Sequence, residues 1–224
     1  MRNGRRLIGT CLFIASCLAT GGASAATLTS VNRAGFAAAV AGGTITGQNF
    51  DSLADNTLLT TLDGVTYSSN AGPVVVTNDF LTSTAPNGIG VAPLNYFVSA
   101  ATATFSFSTA ISAFAIDVNT FATDNGAYKA TLNTGDFANS TFEVFSGANT
   151  GQFIGFTSDT LFTSVTISAA TGFAYSLDTL AYGSAANVSS VPLPAAAWLL
   201  LSGLGAVGAA ARRKRKAAPG AMAA

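Results

Sequence analysis

Two neighbouring stretches constrain this chain more than any other part of it. Ala103, Phe105 and Phe107 alternate with Thr104, Ser106 and Ser108, and the pattern resumes with Phe114, Ile116 and Val118 against Ala115, Asp117 and Asn119. A period of two marks a β-strand with one face turned to a core, because successive side chains of an extended chain point to opposite sides. Residues 161–168 repeat it through Thr163, Val165 and Ile167. Further strands are expected over 44–51, 64–69, 73–77, 96–99, 127–133, 141–145, 152–157 and 173–182, where β-branched and aromatic residues collect. The turn pairs Asp63-Gly64, Asn87-Gly88, Asn125-Gly126 and Thr134-Gly135 lie between such runs. The expected fold is therefore all-β, an antiparallel β-sandwich of jelly-roll-like form. One short helix is expected near its start, where Asn32 can cap a run through Phe36 and Val40 that Gly42-Gly43 stops.

The two ends of the chain carry a different pattern. Arg2, Arg5 and Arg6 precede an apolar stretch over 7–19, and Ala23-Ser24-Ala25 follows it. A basic region, an apolar region and a small-residue site make a secretory signal peptide over 1–25, with signal peptidase reading Ala23 and Ala25 and leaving Ala26 first. The competing reading, a lipoprotein acylated at Cys17, has only a short apolar stretch before that cysteine and a better peptidase site after it. At the other end, residues 193–211 contain no charged side chain. At about 1.5 Å per helical residue such a run roughly matches the ~30 Å hydrocarbon core of a bilayer. Arg212, Arg213, Lys214, Arg215 and Lys216 follow as a basic stop-transfer cluster, which the positive-inside bias holds on the cytoplasmic side. Everything before Val191 is then outside. Trp198 suits an interfacial anchor, while Gly203, Gly205 and Gly208 among many alanines make the span a weak permanent one.

The phrase Val191-Pro192-Leu193-Pro194-Ala195-Ala196-Ala197-Trp198-Leu199, followed by the span and the basic cluster, resembles the sorting signal of PEP-CTERM proteins. These are exported bacterial proteins processed by a membrane enzyme, exosortase. Leu193 stands where the namesake signal has Glu. The resemblance covers 191–216 and implies an exosortase-type partner acting after the Sec translocon and signal peptidase. It also implies a transient stay in the inner membrane through the C-terminal helix, delivery to the cell surface or extracellular matrix, and an exopolysaccharide or biofilm setting. A plain single-pass tail anchor needs neither the paired prolines nor the Ala/Gly-rich span. The expected organisation is a signal peptide over 1–25, an exported β-sandwich over 26–182, a linker over 183–190, the sorting signal over 191–216 and a cytoplasmic tail over 217–224.

The net charge of zero conceals an asymmetry. All ten acids lie between Ala26 and Ser190, where the only cations are Arg33 and Lys129, so the exported part carries −8. That disfavours nucleic acid, whose phosphates call for clustered Lys and Arg, and it suits divalent cations, neutral glycans or simple solubility. There is no histidine, and both cysteines, Cys11 and Cys17, fall in the signal peptide. Disulfides, Ser-His-Asp and Cys-His catalysis and the usual zinc sites are thereby excluded from the mature chain. Carboxylate-pair glycoside hydrolysis would rest on aspartates and on Glu143, whose Phe142-Glu143-Val144-Phe145 context reads as a solvent-facing strand position. The chain is expected not to be an enzyme.

A non-enzymatic surface or matrix protein is the first expectation, and a glycan-binding module is the alternative. The latter would use Tyr67, Tyr96, Phe97, Tyr128, Tyr175 or Tyr182, each of which also suits a core. The segments 49–53 and 175–180 look like those of carbohydrate-binding-module jelly rolls, in which acids on the first and last strands clamp a structural calcium. That resemblance makes Asp51 and Asp178 the expected calcium ligands; without an ion they read as acids of adjacent strands. Asp117-Val118-Asn119 and Asp124-Asn125-Gly126 offer other oxygens, without the spacing of an EF-hand loop.

Overall fold

Both alternating stretches lie in one strand. The computed structural model describes residues 27–80, 82–120, 127–144, 150–171 and 174–186, which belong to a single compact unit. In chain order these form β1 (Leu28–Val31), α1 (Arg33–Ala39), β2 (Thr44–Gln48), β3 (Thr61–Leu62), β4 (Val65–Ser69), β5 (Val74–Thr77) and β6 (Gly88–Val91). Then come β7 (Thr102–Thr120), β8 (Tyr128–Leu132), β9 (Phe137–Asn139), β10 (Thr141–Val144), β11 (Thr150–Ala169) and β12 (Tyr175–Ser184). The expected signal peptide, sorting segment and tail lie outside the described residues, as does the second half of the expected linker, 187–190. Among the described residues no helix is long and apolar enough to cross a membrane.

The fold is mostly antiparallel sheet with one short helix, and its strands run in the order β5-β6-β12-β7-β11-β8-β9, with β1 and β10 also on β11, β2 on β12 and β4 on β7. The long β7 and β11 pair along nearly their whole length. The first half of β7 has β4 on its other side and the second half has β12. A register shift in the β7–β11 pair between Thr157 and Ser164 lets both strands pass the exposed step at Ser108–Ala110 without breaking apart, which is why two expected strands become one in each case.

That shift also corrects the phase expected for 161–168. Leu161 and Thr163 point outward and Phe162 is buried, after which Val165 and Ile167 return to the core as expected. The expected strand over 96–99 is not one either. Only Phe97 pairs, exchanging two 2.8 Å backbone hydrogen bonds with Tyr175 while their rings stack at 5.1 Å. The short strands β1, β3, β6 and β9 had no clear pattern to announce them. At the end of the sheet β12 runs two residues into the expected linker, because Gly183 pairs with Ile45; a Cβ there would stand 2.0 Å from the Thr44 carbonyl oxygen.

The main core lies between β7, β11 and the strands facing them. Phe105 and Phe156 flank Phe114 at 5.8 and 5.5 Å between ring centroids, and Phe162 continues the row 5.6 Å from Phe156. All four are at most 1% exposed, and burying one such side chain contributes about 1.5–3 kcal/mol. The described residues contain no cysteine, so this burial acts there without a disulfide.

The opposite face of β7 is covered too. Asn32 caps α1 as expected, its Oδ1 accepting from the Gly35 amide at 2.8 Å. The helix lays Phe36 against Phe153, Ala113 and Ala115, the small residues of the outer face letting it approach closely. From Ile111 to Asn119 both faces of β7 are consequently buried, and the polar residues of the outer face are buried with them.

Candidate functional site

Past α1, the outer face of β7 changes from alanine to polar residues. Asp117 and Asn119 stand two positions apart on that face, and their register partners on β12 are Asp178 and Ser176. Four polar side chains thus form one contiguous patch. Their exposures are 1% for Asp117, 5% for Asn119, 0% for Asp178 and 1% for Ser176. On the β11 side Asn119 faces Gly151, so no side chain stands beside it there.

Two carboxylates on directly paired residues repel one another, and burial removes the water that would screen them. Arg33, at the start of α1, meets half of this problem. Its Nη2 donates to Asp117 Oδ1 at 2.5 Å, and its guanidinium lies 4.7 Å from the Phe153 ring centre. Among the described residues Asp178 has no cation of its own. Oδ2 accepts from Ser83 Oγ at 3.0 Å, from the Thr84 amide at 2.7 Å and from Thr84 Oγ1 at 3.0 Å, and Oδ1 accepts from the Thr179 amide at 2.6 Å. Burial nevertheless pushes the Asp178 carboxyl up to about 7, against these hydrogen bonds. Burial raises Asp117 as well, opposed by its bonds from Ser83, Arg33 and Thr179.

The backbone is bent to make this arrangement. Thr179 has φ 48°, a left-handed conformation that a β-branched residue seldom adopts, and the β12–β7 register shifts between Asp178 and Ala181. Gly88 lets the 82–88 loop lie on β12: a Cβ there would meet the Leu177 carbonyl oxygen and Thr82 Cγ2, both at 2.8 Å. That close approach brings Ser83 and Thr84 onto Asp178.

Asn119 and Ser176 differ from their neighbours. Asn119 Oδ1, Asn119 Nδ2 and Ser176 Oγ are buried and have no hydrogen-bond partner among the described residues. An orphaned buried polar atom costs about 1–3 kcal/mol, so Asn119 and Ser176 are the least satisfied part of the patch.

The residues expected from the sequence fall out as follows. The first and last long segments do adjoin, since β2 pairs with β12. Asp178, however, is paired with Asp117, and Asp51 Oδ1 accepts from the Asn87 amide at 2.9 Å. The two expected calcium ligands thus flank the consecutive residues Asn87 and Gly88, with no hydrogen bond linking them. Of the six aromatics weighed as sugar platforms, Tyr67, Phe97, Tyr128, Tyr175 and Tyr182 are core residues, and Tyr96 is half-buried against Phe80 at 5.2 Å. Among the described residues the exposed aromatics are Phe137 and Phe142. Glu143 lies in β10. Val191, Pro192, Leu193, Pro194, the basic cluster Arg212 to Lys216 and the peptidase site at Ala23, Ala25 and Ala26 lie outside the described residues. Ser176 was missed, although its spacing from Asp178 mirrors that of Asp117 and Asn119; the antiparallel register that joins the two pairs is not written in either segment.

Residues 190–216 match the family model of the PEP-CTERM protein-sorting motif. The chain therefore carries that motif, which marks it as an exported, surface-directed protein with an exosortase-type processing partner. No curated protein matches the chain. Among solved structures it is similar to a mutant of a family 29 carbohydrate-binding module, at 9% identity and a TM-score of 0.31, over 63% of this chain and 88% of that one. That overlap is too slight to bear on fold or ligand.

Proposed function

We propose that this is a non-enzymatic surface or matrix protein that acts in an exopolysaccharide setting once its sorting motif has delivered it. On this reading the β domain enters the periplasm behind a signal peptide cut after Ala25. Residues 195–211 hold it in the inner membrane, with the basic cluster inside, until an exosortase-type enzyme cuts near Val191, Pro192, Leu193 and Pro194. The observation that carries the reading is the sorting motif at 190–216. The composition supports it: a mature chain without His or Cys has few routes to catalysis, and a span rich in Gly and Ala suits a temporary anchor.

The test separates anchoring from recognition. Neutral residues in place of Arg212 to Lys216 should impair membrane retention, whereas Pro192→Ala with Pro194→Ala should leave an uncut precursor in the membrane, because the helix can then extend through the motif. Release of the double proline variant at the parent's rate and mature mass would show that the motif is a spacer and end the proposal.

A further inference from the structure

The outer-face patch of β7 and β12 has two deficits, and they lie side by side. Asp117 and Asp178 present two buried carboxylates to one guanidinium, leaving one negative charge without a counter-charge. Two positions along the same face, Asn119 and Ser176 present buried oxygens without partners. A proton taken up by the carboxylates would remove the charge and leave Asn119 and Ser176 as they are. Water would serve Asn119 and Ser176 and leave the charge. A hydrated divalent cation meets both needs, since its charge exceeds the deficit and its coordination sphere takes oxygens of carboxylate, amide, hydroxyl and water together.

We propose that Asp117, Asn119, Ser176 and Asp178 hold a divalent cation, of which calcium fits best. The donor set is all oxygen, which excludes the softer metals that prefer sulfur or imidazole. Calcium is favoured over magnesium because the set comes from rigid, paired strands and mixes four side chains; magnesium demands a near-ideal octahedron and keeps most of its water. The site opens toward solvent at its Ser83, Thr84 and Arg33 edge, where these side chains are half-buried or exposed. It differs from the calcium clamp expected at the two ends of the domain in that Asp51 takes no part.

The experiment uses the full chain purified in detergent and stripped with chelator. Calcium chloride should raise the melting temperature by several degrees at saturation, because an ion that binds only the folded state stabilises it by mass action, and magnesium chloride should do so less. Equilibrium dialysis against calcium alone should give one site per chain. Asn119→Ala and Ser176→Ala remove unsatisfied atoms, so both variants should fold; each should lose at least tenfold in calcium affinity. Asp51→Asn should keep the parent's affinity. Absence of calcium binding in dialysis, or parental affinity in both the Asn119 and Ser176 variants, overturns the site. Loss of binding in Asp51→Asn alone would assign the ion to the other acid and overturn it equally. None of these readouts depends on sorting, so the processing proposal stands or falls separately.

Discussion

Two of the polar networks buried among the described residues differ, one closed and the other open. On β2, β4 and β12, Gln48 Oε1 accepts from the Tyr67 hydroxyl, Gln48 Nε2 donates to Asp63 Oδ2 at 3.0 Å and to the Leu62 carbonyl at 3.3 Å, and Tyr182 donates to the Asp63 carbonyl at 2.7 Å. The one ionisable carboxylate in it, Asp63, stands at the exposed end. On β7 and β12 the carboxylates are inside and three atoms lack partners. A network whose atoms satisfy one another fixes strand register and needs nothing more, whereas one left short of a counter-charge and of partners is where the proposed cation would act.

The contrast is broken most severely at Asp178. Replacing it with Ala leaves the amides of Thr84 and Thr179 and the hydroxyls of Ser83 and Thr84 without their acceptor, and should cost about 2–4 kcal/mol in urea unfolding. Asp178→Asn keeps an acceptor and removes the charge, so it should cost markedly less. Equal losses in the two variants would mean that the hydrogen bonds, not the charge, are incidental.

The pH dependence should come next in size. In the metal-free protein the folded Asp178 carboxyl is raised to about 7 from near 3.8. Between roughly pH 4 and 7 the folded chain then keeps a proton that the unfolded chain has released, so stability is greatest at the acid end of that window, falls as pH rises through it and levels off above. Asp117 shifts in the same direction, and Arg33 remains charged throughout. Melting with chelator should therefore give a higher Tm at pH 5 than at pH 8, and Asp178→Asn should flatten the difference. Saturating calcium should flatten it too, by favouring the ionised carboxylates. In the closed network burial raises the Tyr67 and Tyr182 hydroxyls above their ordinary range, so these two groups contribute no slope below about pH 10.

A smaller loss tests the closed network directly. Tyr67→Phe leaves Gln48 Oε1 without its donor at nearly constant shape, and should cost about 1–2 kcal/mol at pH 5 and pH 8 alike. A loss that changes with pH would couple the two networks. The smallest effect concerns the helix that covers the open patch's neighbourhood. Asn32→Ala removes the cap on α1 and should cost about 1 kcal/mol, with faster amide exchange at Gly35 as its local readout.

How far each part was legible follows from where its information resides. The sorting motif at 190–216 was legible because it is one contiguous run, a Pro motif, an uncharged span and a cationic cluster, which no folding is needed to bring together. The β class was also local, since a period of two over Ala103 to Asn119 dictates an extended chain with a buried aromatic face whatever it meets. The cap at Asn32 was local for the same reason.

The tertiary structure decided what alternation leaves open. Alternation distinguishes two faces without saying whether the second is solvated, and only the docking of α1, with Phe36 on Ala113 and Ala115, turned the outer face of β7 into a second interior. The irregular pairing between Thr157 and Ser164 reset the phase after Phe162, so that even-numbered side chains fill the core up to Phe162 and odd-numbered ones do so from Val165. Asp178 and Asp117 were both named from the sequence as sources of ligand oxygens, but not as partners of one another. Asp117 lies 61 residues away in sequence, and the two became neighbours through antiparallel register, a long-range choice set by the burial of whole strands and by no motif that contains either aspartate.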